Sequence, residues 1–200
     1  STVPNMRSYD PAFAYELVLI VQDGIRRMYD EQEDVFYYIT VTNQNQPMPP
    51  MPEADGVAAG VLSGMYCFDR QPGATVNLFG SGAIMSEVMA ARAYLSELGI
   101  ASNLWSVTSY NELAREGMAA ERAQLMSLGE AGRKPLVAQL LEGEEGVFIA
   151  ASDYMKALPL SIARWVPGPY HVLGTDGYGL SEDRHVLREY FEVSAEWVAY

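Results

Sequence analysis

Cysteine occurs once in the 200 residues, as Cys67, and histidine twice, as His171 and His185. One cysteine closes no intrachain disulfide and builds no thiolate zinc site, so the expected setting is reducing and cytoplasmic. Two histidines fall short of a multi-histidine metal centre. Basic residues are scarce as well: 13 Lys and Arg stand against 26 Asp and Glu, for a formal charge of −13. That balance argues against nucleic acid or an anionic membrane surface as a partner, because phosphate contacts are built on basic patches. No apolar run approaches the ~18–20 residues of a membrane span. The opening STVPNMRSYD has no basic segment leading into an apolar one, hence no secretion-signal pattern. It also lacks an initiator Met, from which a processed or excised chain is expected. G-x-G-x-x-G, G-x-x-x-x-G-K-[ST] and G-x-S-x-G are all missing, which removes the common nucleotide fingerprints and the nucleophile elbow.

What is present is the make-up of a globular core, 49% hydrophobic and 20% charged. Two hundred residues suit one domain or a little more. YDPAFAYELVLIVQDGIRRMYDE predicts a helix with Asp10 as its cap and Pro11 at its first position. Phe13, Leu17, Ile20, Val21, Gly24 and Met28 recur at helical spacing. Val18 and Leu19 widen the apolar face, so burial on most sides is expected. DVFYYITVT, rich in branched and aromatic residues, predicts a strand covered on both faces. NQNQPMPPMPEADG then carries Pro47, Pro49, Pro50 and Pro52, a density that neither helix nor ladder tolerates. The expected division is residues 1–46, a connector at 47–52, and a second domain at 53–200. One helix and one strand cannot complete a core. The expectation is therefore a carboxy-terminal piece of something larger, starting partway through a domain.

Beyond the connector, GVAAGVLSG predicts a helix, MYCF and ATVNLF strands, SGAIMSEVMAARAYLSELG a helix and ASNLWSVT a strand. SYNELAREGMAAERAQLMSLGE predicts a helix in which Gly117 is a candidate break. PLVAQLLE and GVFIAAS predict strands, DYMKALPLSIARWV a helix, YHVLGT a strand, and SEDRHVLREYF and SAEWVAY helices. The alternation implies an α/β fold, a three-layer α/β/α sandwich with a mostly parallel sheet.

Few residues point to chemistry. Gly80, Ser81 and Gly82 lie between a strand and a helix start, where free amides and the helix dipole favour an anion. A tight turn needing glycine freedom is the simpler reading of the same residues. Asp153, Tyr154 and Lys156 sit at a strand's carboxyl end, and Ser152 or Asp153 equally suits a helix cap. Asn43 and Asn45 end the first strand and are candidates for lining a substrate channel. In VLGTDGYGLSEDRHVLREYFEV, Ser181 suits a cap, Glu182 and Asp183 the first turn, and Arg188 the last. Those acids have no calcium-loop spacing. Spacing alone assigns no catalytic, cofactor-binding or metal residue.

Taken together, STVPNMRSYDPAFAYEL, IVQDGIRRMY, FYYITVTNQN, MPPMPE, LFGSGAIMSEV, WSVTSYNELAREG, SDYMK and VLGTDGYGLSEDRHVLREYFEV resemble the carboxy-terminal part of the homodimeric type of pyruvate dehydrogenase. That family is the thiamine-diphosphate-dependent decarboxylating component of a multienzyme complex. The resemblance implies that residues 1–46 end its pyrimidine-binding domain and that residues 53–200 form a domain resembling the transketolase carboxy-terminal domain. It implies that thiamine diphosphate and Mg²⁺ are bound by residues outside this chain, with none bound here. It further implies a homodimer and a lipoyl-bearing acyltransferase as partners, with no nucleic acid and no membrane. Gln46 and Pro47 depart from the family's usual aromatic and polar pair, which bears on the choice of 2-oxo acid. Two other readings stand beside this one: a free-standing regulatory or anion-binding α/β domain using Gly80–Gly82, and a module that docks the acyltransferase.

Overall fold

The computed structural model of the chain describes residues 3–127 and 132–200. Its first module is a two-stranded parallel sheet, β1 (Met6–Tyr9) and β2 (Phe36–Ile39), with Met6 opposite Phe36 and Tyr9 opposite Ile39. The helix α1 (Ala14–Ile25) connects them and runs into one π-helical turn, Arg26–Asp30. The sequence predicts one strand here. MRSY has neither alternation nor a branched run, and it is the aromatic β2 beside it that draws it into a ladder.

The helix begins later than its Asp-Pro signal suggests. Phe13 is its first flanking residue, and Glu16 reaches back to accept from the Ala12 N–H at 2.6 Å and the Phe13 N–H at 3.1 Å. Asp10 and Pro11 lie outside the helix, which leaves the Asp10 side chain free for other work. Only Glu16, Ile20 and Gly24 of α1 are buried, while Val18 and Ile25 are each 51% exposed. Phe36 and Tyr38 on β2 are exposed too, so neither the helix nor the strand is covered on all the sides expected.

The second module contains α2 (Val57–Ser63), β3 (Tyr66–Asp69), β4 (Val76–Gly80), α3 (Met85–Glu97), β5 (Ser102–Ser106), α4 (Tyr110–Met126), α5 (Leu136–Leu140), β6 (Val147–Ala151), α6 (Ala157–Leu160), β7 (Tyr170–Leu173), α7 (Arg184–Tyr190) and α8 (Ala195–Ala199). The strands run in the order β3-β5-β4-β6-β7, with β3 antiparallel and the rest parallel. Leu78, Leu104 and Ala151 pack with α3 and α8 on one face. Phe79, Trp105, Phe148 and Ala150 pack with α4, α5 and Ile162 on the other. The three-layer sandwich follows directly from these two cores.

Four local expectations need correction. PLVAQLLE is the helix α5, not a strand; its short apolar run suits either state, and Val137 and Leu141, four residues apart, meet one core. DYMKALPLSIARWV is a four-residue helix followed by a separate 3₁₀ turn, Ala163–Trp165. The last helix of the VLGTDGYG stretch is capped by Asp183, whose Oδ1 accepts from the His185 N–H at 2.9 Å, not by Ser181. Gly117 does not break α4. A Cβ there would come within 2.3 Å of the Trp165 ring, so glycine admits the indole against the helix. The predicted end of that helix, residues 128–130, lies outside the described residues.

Candidate functional site

The parallel strands bring their carboxyl ends to one side of the sheet. There the chain leaves β4 through Ser81 and Gly82 toward α3 on one face, and leaves β6 through Ser152 and Asp153 toward α6 on the other. Such divergence opens a crevice outside the strand ends, the usual ligand position in open α/β sheets.

The first module enters this crevice. Asp10 follows β1, and its backbone N–H donates to the Thr108 carbonyl at 2.7 Å, while its carbonyl accepts from the Gly82 N–H at 3.1 Å. Its Oδ1 accepts from the Thr40 hydroxyl, just after β2, at 2.5 Å. The carboxylate lies against Gly82, where a Cβ would fall 2.3 Å from Oδ1, and Gly82 has φ +47. Burial raises the Asp10 pKa, the Thr40 and Ser81 hydroxyls oppose the rise, and the Asp153 charge adds to it.

Two hollows flank this contact. An open cleft of about 1300 Å³ is lined by Asn43, Asp153, Tyr154, Thr175, Arg184 and Arg188, among others. A smaller cavity of about 200 Å³ is lined by Tyr38, Ser81, Tyr110 and Leu158. Thr40 and Tyr154 border both.

The sequence candidates are thus partly brought together. Gly80, Ser81 and Gly82 are buried, with the Asp10 carboxylate against the last of them. Asn43 is exposed in the cleft, and its Oδ1 accepts from Arg184 at 3.5 Å, a marginal contact. Asn45 is exposed and lies outside the cleft lining. Asp153 and Tyr154 reach the cleft, whereas the Lys156 backbone N–H donates to Asp176 at 3.0 Å. His171 and His185 are exposed on β7 and α7.

The sequence reading missed the strongest polar cluster. Glu16 is fully buried, and its Oε1 accepts from the Tyr66 hydroxyl at 2.7 Å and the Ser106 hydroxyl at 2.6 Å. With the two amides on Oε2, all four donors converge on one carboxylate spanning both modules. Burial raises the Glu16 pKa against the pull of these bonds, and burial beside that acid also raises the Tyr66 hydroxyl. A lone acid inside FAYELVLIV was the available signal. Arg188, read as a dipole partner, is instead buried, donating to Glu87 at 2.6 Å, the Ala83 carbonyl at 3.2 Å and the Gln44 amide oxygen at 3.4 Å. The arrangement joins modules; it sets no nucleophile beside a base. Among the described residues, no three or more His, Cys, Asp or Glu cluster to hold a metal ion, and no helix is long and apolar enough to cross a membrane.

Comparison with known proteins finds two family matches along the chain. Residues 64–194 match the family described as the transketolase-like TK C-terminal domain, and residues 1–49 match the pyruvate dehydrogenase E1 component middle domain. The pyruvate dehydrogenase E1 component of Pseudomonas aeruginosa is 45% identical over 99% of this chain and 23% of its own length. That of Escherichia coli is 44% identical over 98% of this chain and 22% of its own. That of Mycolicibacterium smegmatis is 42% identical over 99% and 22%. The chain therefore spans under a quarter of the length of the curated relatives it matches. Among solved structures, Campylobacter jejuni transketolase superposes with a TM-score of 0.65 at 19% identity, over 98% of this chain and 26% of that one. This likeness shows the fold.

Proposed function

The chain belongs to the transketolase-like C-terminal domain family, and from that premise we propose that it is the carboxy-terminal, architectural portion of a pyruvate dehydrogenase E1 component. The observation that carries this reading is the pair of adjoining matches: an E1 middle-domain segment at 1–49 runs into a transketolase-like domain at 64–194. Identity of 42–46% to proteins of that one name over nearly the whole chain supports it. In this reading residues 1–46 close a pyrimidine-binding domain, 47–52 connect, and 53–200 form the terminal domain.

The whole enzyme would decarboxylate a 2-oxo acid, pyruvate first, and pass the acyl group to a lipoyl-bearing acyltransferase, working as a cytoplasmic homodimer. Thiamine diphosphate supplies the electron sink for that decarboxylation when bound with Mg²⁺. The residues of this chain do not fit that group: no metal-ligating cluster occurs among those described, and the glycine turn faces a carboxylate. The chain's own part is to hold two modules together through Glu16, Asp10 and Arg188, and to present Asn43 on the cleft. Gln46 and Pro47, which depart from the family's usual pair, are the positions through which preference among 2-oxo acids would shift.

Calorimetric titration of the 200-residue chain with thiamine diphosphate and Mg²⁺ tests the reading. No saturable heat is expected, and tight binding by this chain alone would overturn it. The anion-binding alternative is disfavoured by the buried acid at Gly82, since a second anion would meet like charge there.

A further inference from the structure

Ligands of open α/β sheets sit where neighbouring connections part, outside the strand ends. In this sheet that place lies between β4 and β6, and what fills it is a side chain of the other module. Asp10 comes within contact of Gly82 only because glycine has no Cβ; an alanine carbon would be 2.3 Å from Oδ1 and 2.5 Å from Oδ2. The Thr40 hydroxyl donates to Oδ1 at 2.5 Å. Ser81, 2% exposed, turns its hydroxyl toward the same carboxylate, and neither that hydroxyl nor Asp10 Oδ2 has another hydrogen-bond partner. Both residues line the cavity of about 200 Å³, so the carboxylate and its hydroxyls border a hollow. The glycine turn, the two hydroxyls and the cavity together are the parts of a small-ligand pocket: apolar walls with a few convergent polar groups.

We propose that the crevice between the β4 and β6 ends is a binding site for a small monocarboxylate, occupied in cis by the Asp10 side chain. Asp10 is then a ligand tethered to one module and held by the other, and its seating docks the two. No cation takes part among the contacts that hold it; hydroxyl donors and shape do the recognising. Emptied of its tethered carboxylate, the site accepts a free one of the same size.

Asp10→Ala removes the carboxylate and leaves a vacancy the size of formate. Thermal unfolding of the full chain is measured in formate and in chloride at matched ionic strength, for wild type, Asp10→Ala and the isosteric Asp10→Asn. Formate at tenfold its own Kd should raise the Asp10→Ala midpoint by about 3–6 °C above its value in chloride. Wild type and Asp10→Asn, whose sites are filled, should show no such difference. The proposal is overturned if Asp10→Ala responds equally to the two salts, or if wild type responds as strongly as the variant. Should Asp10→Ala not fold in chloride, its refolding yield in formate is the reading: recovery in formate alone supports the site, and recovery in neither overturns it. Gly82→Ala gives an independent check, because its Cβ displaces the same carboxylate. Its destabilisation should shrink in the Asp10→Ala background, whereas additive effects would contradict the contact.

Discussion

In the second module β5 is buried at all five positions, whereas β2 in the first alternates between exposed and half-buried residues. β2, Phe-Tyr-Tyr-Ile, is the more apolar of the two and β5, Ser-Asn-Leu-Trp-Ser, the more polar, so composition does not make the difference; coverage does. Helices flank both faces of the five-stranded sheet. The two-stranded sheet has α1 and the second module on one side, with Tyr9, Ile20, Val57, Val61 and Tyr66 as its core, and Phe36 and Tyr38 open on the other. The first module is thus finished toward its neighbour and unfinished outward. An apolar face left open in one region of an otherwise well-packed chain is where further protein would pack under the proposed function.

The largest expected effect lies on the inner, finished side. Glu16→Ala strands the Tyr66 and Ser106 hydroxyls and two backbone amides in a buried site, at a cost of about 3–5 kcal/mol in urea unfolding. Glu16→Gln should cost only ~1 kcal/mol, because its carbonyl keeps the amides while the hydroxyls turn to accept from its NH₂. The pair also separates charge from hydrogen bonding. With its folded pKa raised above the ordinary 4.5, Glu16 contributes stability that is fully present below pH 4.5 and is lost as pH rises to the folded value. The wild-type minus Glu16→Gln difference should therefore move against wild type across that window. A difference independent of pH would show that Glu16 keeps its ordinary pKa.

A smaller effect is expected inside the second module. Gly117→Ala puts a carbon about 2.3 Å from the Trp165 ring, overpacking that costs about 1–3 kcal/mol against ~1 kcal/mol gained in helix propensity. A shift in indole emission with a net loss near 1 kcal/mol would match it. The smallest effect belongs to the exposed outer surface of α1. Val18→Asp and Ile25→Asp should change the stability of this chain by no more than ~0.5 kcal/mol, while reducing its self-association in sedimentation velocity. A loss of several kcal/mol would mean that this face is already covered.

Much of this was legible in the residues. The alternation from residue 56 onward gave the three layers, while the proline run begins inside the first family match, which ends at residue 49. The misses share one physical cause, tertiary contacts overriding local signals. Asp10 followed by Pro11 is a good helix start, yet Asp10 is taken by Gly82 and Thr40, and Glu16 organises the helix end instead. MRSY becomes a strand only beside β2, and PLVAQLLE lacks the length to declare its period. The candidate site was the least legible part, since Asp10, Thr40, Ser81 and Tyr154 converge from four separate stretches of sequence.

Hydrogen exchange, residue by residue, in this chain and in a full-length E1 component that contains it, tests the contrast between modules most directly. The account predicts that amides of α1 and β2 gain at least tenfold protection in the longer protein, while those of β4, β5 and β6 are unchanged. Equal protection of α1 and β2 in both would contradict it.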